Sequence, residues 1–131
     1  MTEQRANTNK LVMNFTITRT SKYNIFNIDE NKLTSEFAPS LKAELILQAD
    51  RKKSIICNIE KIDYIDSSTV SCFLIGDKLC KDNKNQFIIC NASEKTLDLI
   101  QTTKLNNLLT IIPTLQEAKD FILFDELEKE L

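Results

Sequence analysis

Apolar and polar residues alternate over residues 13–18, with Met13, Phe15 and Ile17 on one side, which is the period of a half-buried strand. Residues 23–28 (Tyr-Asn-Ile-Phe-Asn-Ile) predict a second strand, and the short polar stretch 19–22 between the two suits a hairpin. The period then changes. Leu33, Phe37, Leu41 and Leu45 recur every four residues with Ile46 and Ala49 alongside, predicting a helix over 33–49 with Thr34 or Ser35 as its cap. Pro39 is best tolerated there if the first turn lies close before it. Residues 54–59 form a compact apolar run, as in a strand covered on both faces. A helix is predicted over 67–82, a buried strand over 86–90, and a capped helix start at Asn91-Ala92-Ser93-Glu94 with Leu97 and Ile100 behind it. Residues 108–112 read as a short last strand stopped by Pro113. Thr114-Leu115-Gln116-Glu117 is a capping box opening a helix expected to bury Leu115, Ala118, Phe121 and Ile122. The order β-β-α-β-α-β-α-β-α implies an α/β fold, a mixed sheet with helices packed on it.

Composition narrows what such a fold can do. The chain has 131 residues, 42% of them hydrophobic and 27% charged, with a net charge of -2, so nothing drives it electrostatically toward nucleic acid or an anionic membrane. Its one basic run, Arg51-Lys52-Lys53, reads as a solvated loop before a strand. No stretch approaches the ~18 apolar residues of a membrane span, and residues 1–10 are polar, without the apolar segment of a signal peptide; a cytoplasmic protein is the expectation. Cys57, Cys72, Cys80 and Cys90 have apolar neighbours and no metal-ligand spacing, so buried free thiols are expected. There is no histidine, which removes Ser-His-Asp and Cys-His nucleophile systems and histidine-ligated metal sites. A single glycine, Gly76, leaves no phosphate cradle. The expectation is a binding module, not an enzyme, with no catalytic residue, metal or cofactor.

The stretch that carries chemistry is Ile62-Asp63-Tyr64-Ile65-Asp66-Ser67-Ser68-Thr69-Val70, between a buried strand and a helix. Asp66 is an N-cap candidate, able to accept from the backbone N–H of Ser68 or Thr69. Ser67, Ser68 and Thr69 then occupy the first turn, with hydroxyls near the positive end of the helix. A phosphate added there meets free N–H donors beside the Asp66 carboxylate. On spacing alone the same residues also read as an ordinary helix cap.

At these residues the chain resembles the STAS domain family, which includes bacterial anti-sigma-factor antagonists. The resemblance is carried by the strand at residues 55–59, then Ile65-Asp66-Ser67-Ser68, then an apolar helix. It is supported by residues 86–91, by Leu105-Asn106-Asn107-Leu108-Leu109, and by Ile112 to Ala118. Over roughly residues 13–123 it implies a mixed sheet of four to five strands with about four helices mainly on one side; residues 1–10, which offer little to bury, are expected to be a flexible lead-in to a single domain over 11–131. It also implies partner switching. A serine kinase that is itself the anti-sigma factor binds the unmodified protein and phosphorylates the second serine, here Ser68, and a phosphatase resets the switch. Asp66, Ser67, Ser68, Thr69, Val70 and Leu74 are the implied partner-binding residues, Ser67 and Thr69 being rival phosphoacceptors. The other reading is a non-phosphorylated module of a lipid-transport ABC complex or a sensory scaffold. In either case a monomer is expected, with no nucleic-acid partner and no membrane insertion.

Two positions depart from the family pattern. Thr69 stands where glycine usually follows the serines, and Asn58 where aspartate is common in the preceding strand. Along the following helix, Cys72, Phe73, Ile75, Gly76, Leu79 and Cys80 form one apolar arc expected to be core. Val70 and Leu74 lie off that arc, and are expected to form a partner-facing patch beside Ser68.

Overall fold

In the computed structural model the strands β1 (Phe15–Arg19), β2 (Tyr23–Ile28), β4 (Ser54–Asn58), β6 (Phe87–Cys90) and β7 (Thr110–Ile112) form one five-stranded sheet in the order β1-β2-β4-β6-β7. The structure describes residues 12–131, and the lead-in expected over 1–10 lies outside them. β1 pairs antiparallel with β2, and every other pair is parallel. Two further strands, β3 (Lys32–Leu33) and β5 (Tyr64–Ile65), make a separate parallel ribbon. Four helices complete the fold: α1 (Ala38–Ala49), α2 (Ser67–Asp82), α3 (Glu94–Thr102) and α4 (Leu115–Lys129).

The alternation of side chains across the pleat sorts the core into two halves. Phe26, Ile55, Cys57, Phe87 and Ile89 face one side, where they meet Leu41 and Leu45 of α1, Val70 and Phe73 of α2, and Ile100 of α3. Ile25, Ile56, Ile88 and Cys90 face the other, where they meet Ala118 and Ile122 of α4. Three helices on one face and one on the other is the arrangement the resemblance implied. The continuous apolar runs of β4 and β6, every residue buried, follow from this double coverage.

Several expected boundaries move. The first strand starts at Phe15, although Met13 is buried just before it. α1 starts at Ala38, five residues later than the spacing suggested: Leu33 pairs with Ile65 in the ribbon, Pro39 sits in the first turn, and neither Thr34 nor Ser35 caps the helix. Leu108 belongs to a 3-10 turn (Asn106–Leu108) and is exposed, so the last strand is only three residues long. Phe121, expected in the core, is 42% exposed. The helix predicted over 67–82 has those bounds, and Ser93 and Thr114 cap α3 and α4 by accepting from Thr96 N–H and Glu117 N–H.

Gly76 lies where α2 approaches both α1 and the sheet. A Cβ there would sit 3.0 Å from Cε1 of Phe87 and 3.3 Å from Cδ1 of Leu45. Gly76→Leu overpacks this contact and is expected to lower the unfolding free energy by about 1–3 kcal/mol, read from the urea midpoint; an unchanged midpoint would contradict the packing described.

Candidate functional site

The ribbon β3–β5 positions the motif. After β4 the chain turns at Glu60-Lys61, Ile62 drops into the core, and Asp63 N–H donates to Asn31 O at 2.8 Å as β5 aligns beside β3. Within β5, Tyr64 points to solvent and Ile65 into the core, the alternation of a half-buried strand. α3 supports the same segment from the side, where the buried Thr96 hydroxyl donates to Ile62 O at 3.1 Å.

Asp66 then takes an extended backbone conformation (φ -114°, ψ -179°) and starts α2. Its two carboxylate oxygens are used separately. Oδ1 accepts from Thr69 N–H at 3.1 Å, the N-cap bond, and Oδ2 accepts from Ser35 N–H at 2.8 Å in the loop before α1. Thr69 adds a third tie: its hydroxyl donates to Leu33 O at 2.8 Å. Sequence reasoning named Asp66 as the cap but had no way to see Ser35, which is distant in the chain.

These ties decide which hydroxyls face outward. Ser67 is exposed and Ser68 half-buried, both in the first turn of α2. Hydrogen bonds of the motif among the described residues run through Asp66 and Thr69, and none engages the Ser67 or Ser68 hydroxyl.

Two expectations fail here. Thr69 is 1% exposed with its hydroxyl committed to Leu33 O, so it is not an accessible rival acceptor. Val70 is fully buried in the core and Leu74 packs partly against it, so the pair does not form a partner-facing patch. The buried arc of α2 is wider than the apolar arc of its sequence, because the helix is covered by α1 as well as by the sheet; it takes in Thr69, Val70 and even Asp77. Ile75 and Leu79, expected in the core, are only half-buried. The surface close to the motif comes instead from the ribbon and the loops around it. Tyr64 is 40% exposed, and a shallow depression there is lined by Lys32, Thr34, Phe37, Asp63, Tyr64 and Lys95, among others. The alternation of Tyr64 with Ile65 is the one sequence signal that pointed to this surface.

Asn58 sits in a row of amides across the ends of three parallel strands. Its Nδ2 donates to Asn27 Oδ1 at 3.0 Å, while its Oδ1 accepts from Asn91 Nδ2 at 3.0 Å and from Glu60 N–H at 3.2 Å. Asn58 thus supplies a donor to Asn27 and an acceptor to Asn91 and Glu60, and is matched to its neighbours as they stand. None of its partners belongs to the Asp66–Thr69 turn.

All four cysteines are free and buried. Burial raises every thiol: Cys80 is pushed up to about 12 and Cys90 to about 11, while Cys57 and Cys72 also rise. They are therefore protonated at neutral pH and unsuited to nucleophilic work. Among the described residues no group of His, Cys, Asp or Glu could hold a metal ion, and no helix is long and apolar enough to cross a membrane.

A family model described as STAS domain matches residues 14–118. No curated protein sequence matches the chain. Among solved structures, the chain is similar to an anti-sigma-factor antagonist (STAS) domain protein from Planctomyces limnophilus, with TM-score 0.73, 15% identity, and coverage of 86% of this chain and 97% of that one. It is also similar to an anti-sigma factor antagonist from Mycobacterium paratuberculosis (TM-score 0.74, 12% identity, 84% and 93% coverage). A third is the Bacillus cell fate determinant SpoIIAA in its phosphorylated form (TM-score 0.61, 20% identity, 83% and 99% coverage). At these identities the likeness is one of fold.

Two outcomes are expected. Asp66→Ala removes the bonds to Thr69 N–H and Ser35 N–H and should cost about 1–3 kcal/mol of stability. Amide exchange should quicken at both donors, and unchanged exchange at Ser35 would contradict the tie. For the thiols, folded values above the ordinary 9.0 mean that the folded chain keeps protons the unfolded chain has released. Stability therefore falls as pH rises from about 9 toward 12. Urea titrations in reductant should show that fall, and a smaller one for the Cys80→Ala/Cys90→Ala variant.

Proposed function

The chain belongs to the STAS domain family, and on that premise we propose that it is an anti-sigma-factor antagonist that switches partners through phosphorylation of Ser68. In this reading a serine kinase that is also an anti-sigma factor docks on the start of α2 and the neighbouring ribbon, and its sigma factor is released. The kinase then transfers a phosphoryl group from its own bound nucleoside triphosphate to the Ser68 hydroxyl oxygen, with the hydroxyl proton passing to a base on the kinase. A phosphatase hydrolyses the ester and restores the binding form. The chain itself contributes no catalytic residue.

The observation that carries this reading is the pairing of a rigid frame with an unengaged hydroxyl. Asp66 and Thr69 hold the first turn of α2 against Leu33 and Ser35, while the half-buried Ser68 hydroxyl has no partner among the described residues. A phosphate on Ser68 adds nearly two negative charges next to the Asp66 carboxylate without breaking any bond that fixes the turn. The charge thus lands on the docking surface and leaves the fold standing, as an interaction switch requires. Of the residues first assigned to the interface, Ser67 and Ser68 remain as contacts, Thr69, Val70 and Leu74 belong to the frame and the core, and Asp66 acts by its charge, because both its oxygens are already occupied. Tyr64 joins them as an exposed aromatic beside the turn.

Ser68→Ala should bind the kinase as the parent chain does, and Ser68→Asp should bind about tenfold or more weakly, a loss of roughly 1.4 kcal/mol. Intact mass after incubation with kinase and nucleotide should rise by one phosphate in the parent and in Ser67→Ala, and not in Ser68→Ala. Equal affinity of Ser68→Ala and Ser68→Asp, or a phosphate mapped to Ser67, would refute the assignment.

A further inference from the structure

The helix α4 buries only a narrow stripe. Ala118 and Ile122 are fully covered by the sheet, yet Phe121, Phe124 and Leu127 are 42%, 65% and 61% exposed. Phe121 and Phe124 border an open groove of about 480 Å³ together with Ile112 of β7, the outermost strand of the sheet, so no further strand covers this side. Its remaining lining residues are Glu117, Asp120, Asp125 and Glu128. Four carboxylates thus surround an apolar floor.

The electrostatics of this groove are one-sided. Asp125 is paired with Lys129 at 3.4 Å, but Glu117, Asp120 and Glu128 take part in no ion pair among the described residues. Neither lysine of the helix, Lys119 or Lys129, lines the groove. Two exposed phenylalanines inside a rim where Glu117, Asp120 and Glu128 have no cationic partner among the described residues form a surface that gains on being covered, provided that the cover brings positive charge.

We propose that this groove docks a basic amphipathic segment of a partner protein, with apolar side chains seated on Ile112, Phe121 and Phe124 and lysines or arginines against Glu117, Asp120 and Glu128. A helix with anchors at i, i+3, i+4 and i+7 fits the requirement. The charges disfavour an α4-on-α4 pairing of two copies and an anionic bilayer as occupants. A second copy would bring α4 against α4, each carrying five acidic and two basic residues over Leu115–Lys129. An anionic bilayer would meet the same carboxylates. This surface is separate from the Asp66–Ser68 turn and does not depend on the function proposed for it.

The test uses the full chain and a synthetic helical peptide of about 18 residues, leucines on one face and lysines on the other, with a scrambled peptide of equal composition as control. Titration should give saturable NMR shifts centred on Ile112, Phe121 and Phe124. The scramble should bind at least tenfold more weakly, and binding should weaken with salt. Phe124→Asp should abolish binding. Asp120→Lys/Glu128→Lys should reduce it about tenfold or more, with the cap at Thr114 left intact. Both variants alter exposed positions, so their melting temperatures should match the parent's. Equal binding by the scramble, shifts spread away from the groove, or no saturable shift would overturn the proposal. So would a concentration-dependent rise in mass that Phe124→Asp removes, which would make the occupant a second copy, or adsorption to phosphatidylserine vesicles that the same variant removes.

Discussion

One carboxylate holds the start of α2 to the rest of the molecule. Asp66 reaches the backbone of α2 with one oxygen and the loop before α1 with the other, so two distant stretches of chain meet at a single side chain. The N-cap bond alone would fix the start of α2. The second bond, to Ser35, joins that start to the β3–β5 ribbon and to α1. Thr69 completes the arrangement by filling the space beneath the turn and satisfying Leu33 O. Because these groups are spent on structure, the hydroxyls left over are those of Ser67 and Ser68.

This division of labour explains the two departures from the family pattern. Thr69 in place of glycine does not stand in the way of a partner, because its side chain points inward and works as a tie. Asn58 in place of aspartate belongs to an amide row that links β2, β4 and β6, each asparagine giving what its neighbour needs. Asn91 takes a left-handed conformation at the end of that row (φ 60°), one that asparagine tolerates better than most residues. A carboxylate at position 58 would offer no donor to Asn27 Oδ1, so the Asn27 amide would have to turn over and present its NH2 instead. Both substitutions therefore concern the stability of the frame, and neither removes the outward serine.

The two surfaces discussed above also differ in kind. The turn at Ser68 is polar and small, and hydrogen bonds through Asp66 and Thr69 hold it. The groove along α4 is apolar at its floor and acidic at its rim, suited to affinity gained from burying aromatic area. They arise from opposite ends of the fold's construction. The first is over-determined by hydrogen bonds, while the second is left over because α4 covers the sheet alone and the short edge strand β7 gives it little more to cover.

Much of this was legible in the chain itself. The alternation in residues 13–18 and the cap-plus-apolar pattern of residues 67–82 marked those elements, because local period and local capping act within a few residues. The buried runs of β4 and β6, the cap at Thr114, and Asp66 itself follow from the same short-range physics; the cap-plus-acid spacing from Asn91 to Glu94 marked the start of α3, although Ser93 is the residue that caps it. What the chain could not reveal was which neighbours arrive from far away. Leu33 fits a helical spacing, yet pairing with Ile65 draws it into a strand. Val70 falls off the apolar arc of α2, yet tertiary packing buries it completely in the core. Phe121 fits the buried face of α4, yet the sheet ends at β7 before reaching it. The residue types set the elements and the candidate hydroxyls; the packing of distant segments decided which of those hydroxyls meets water and which apolar faces remain uncovered.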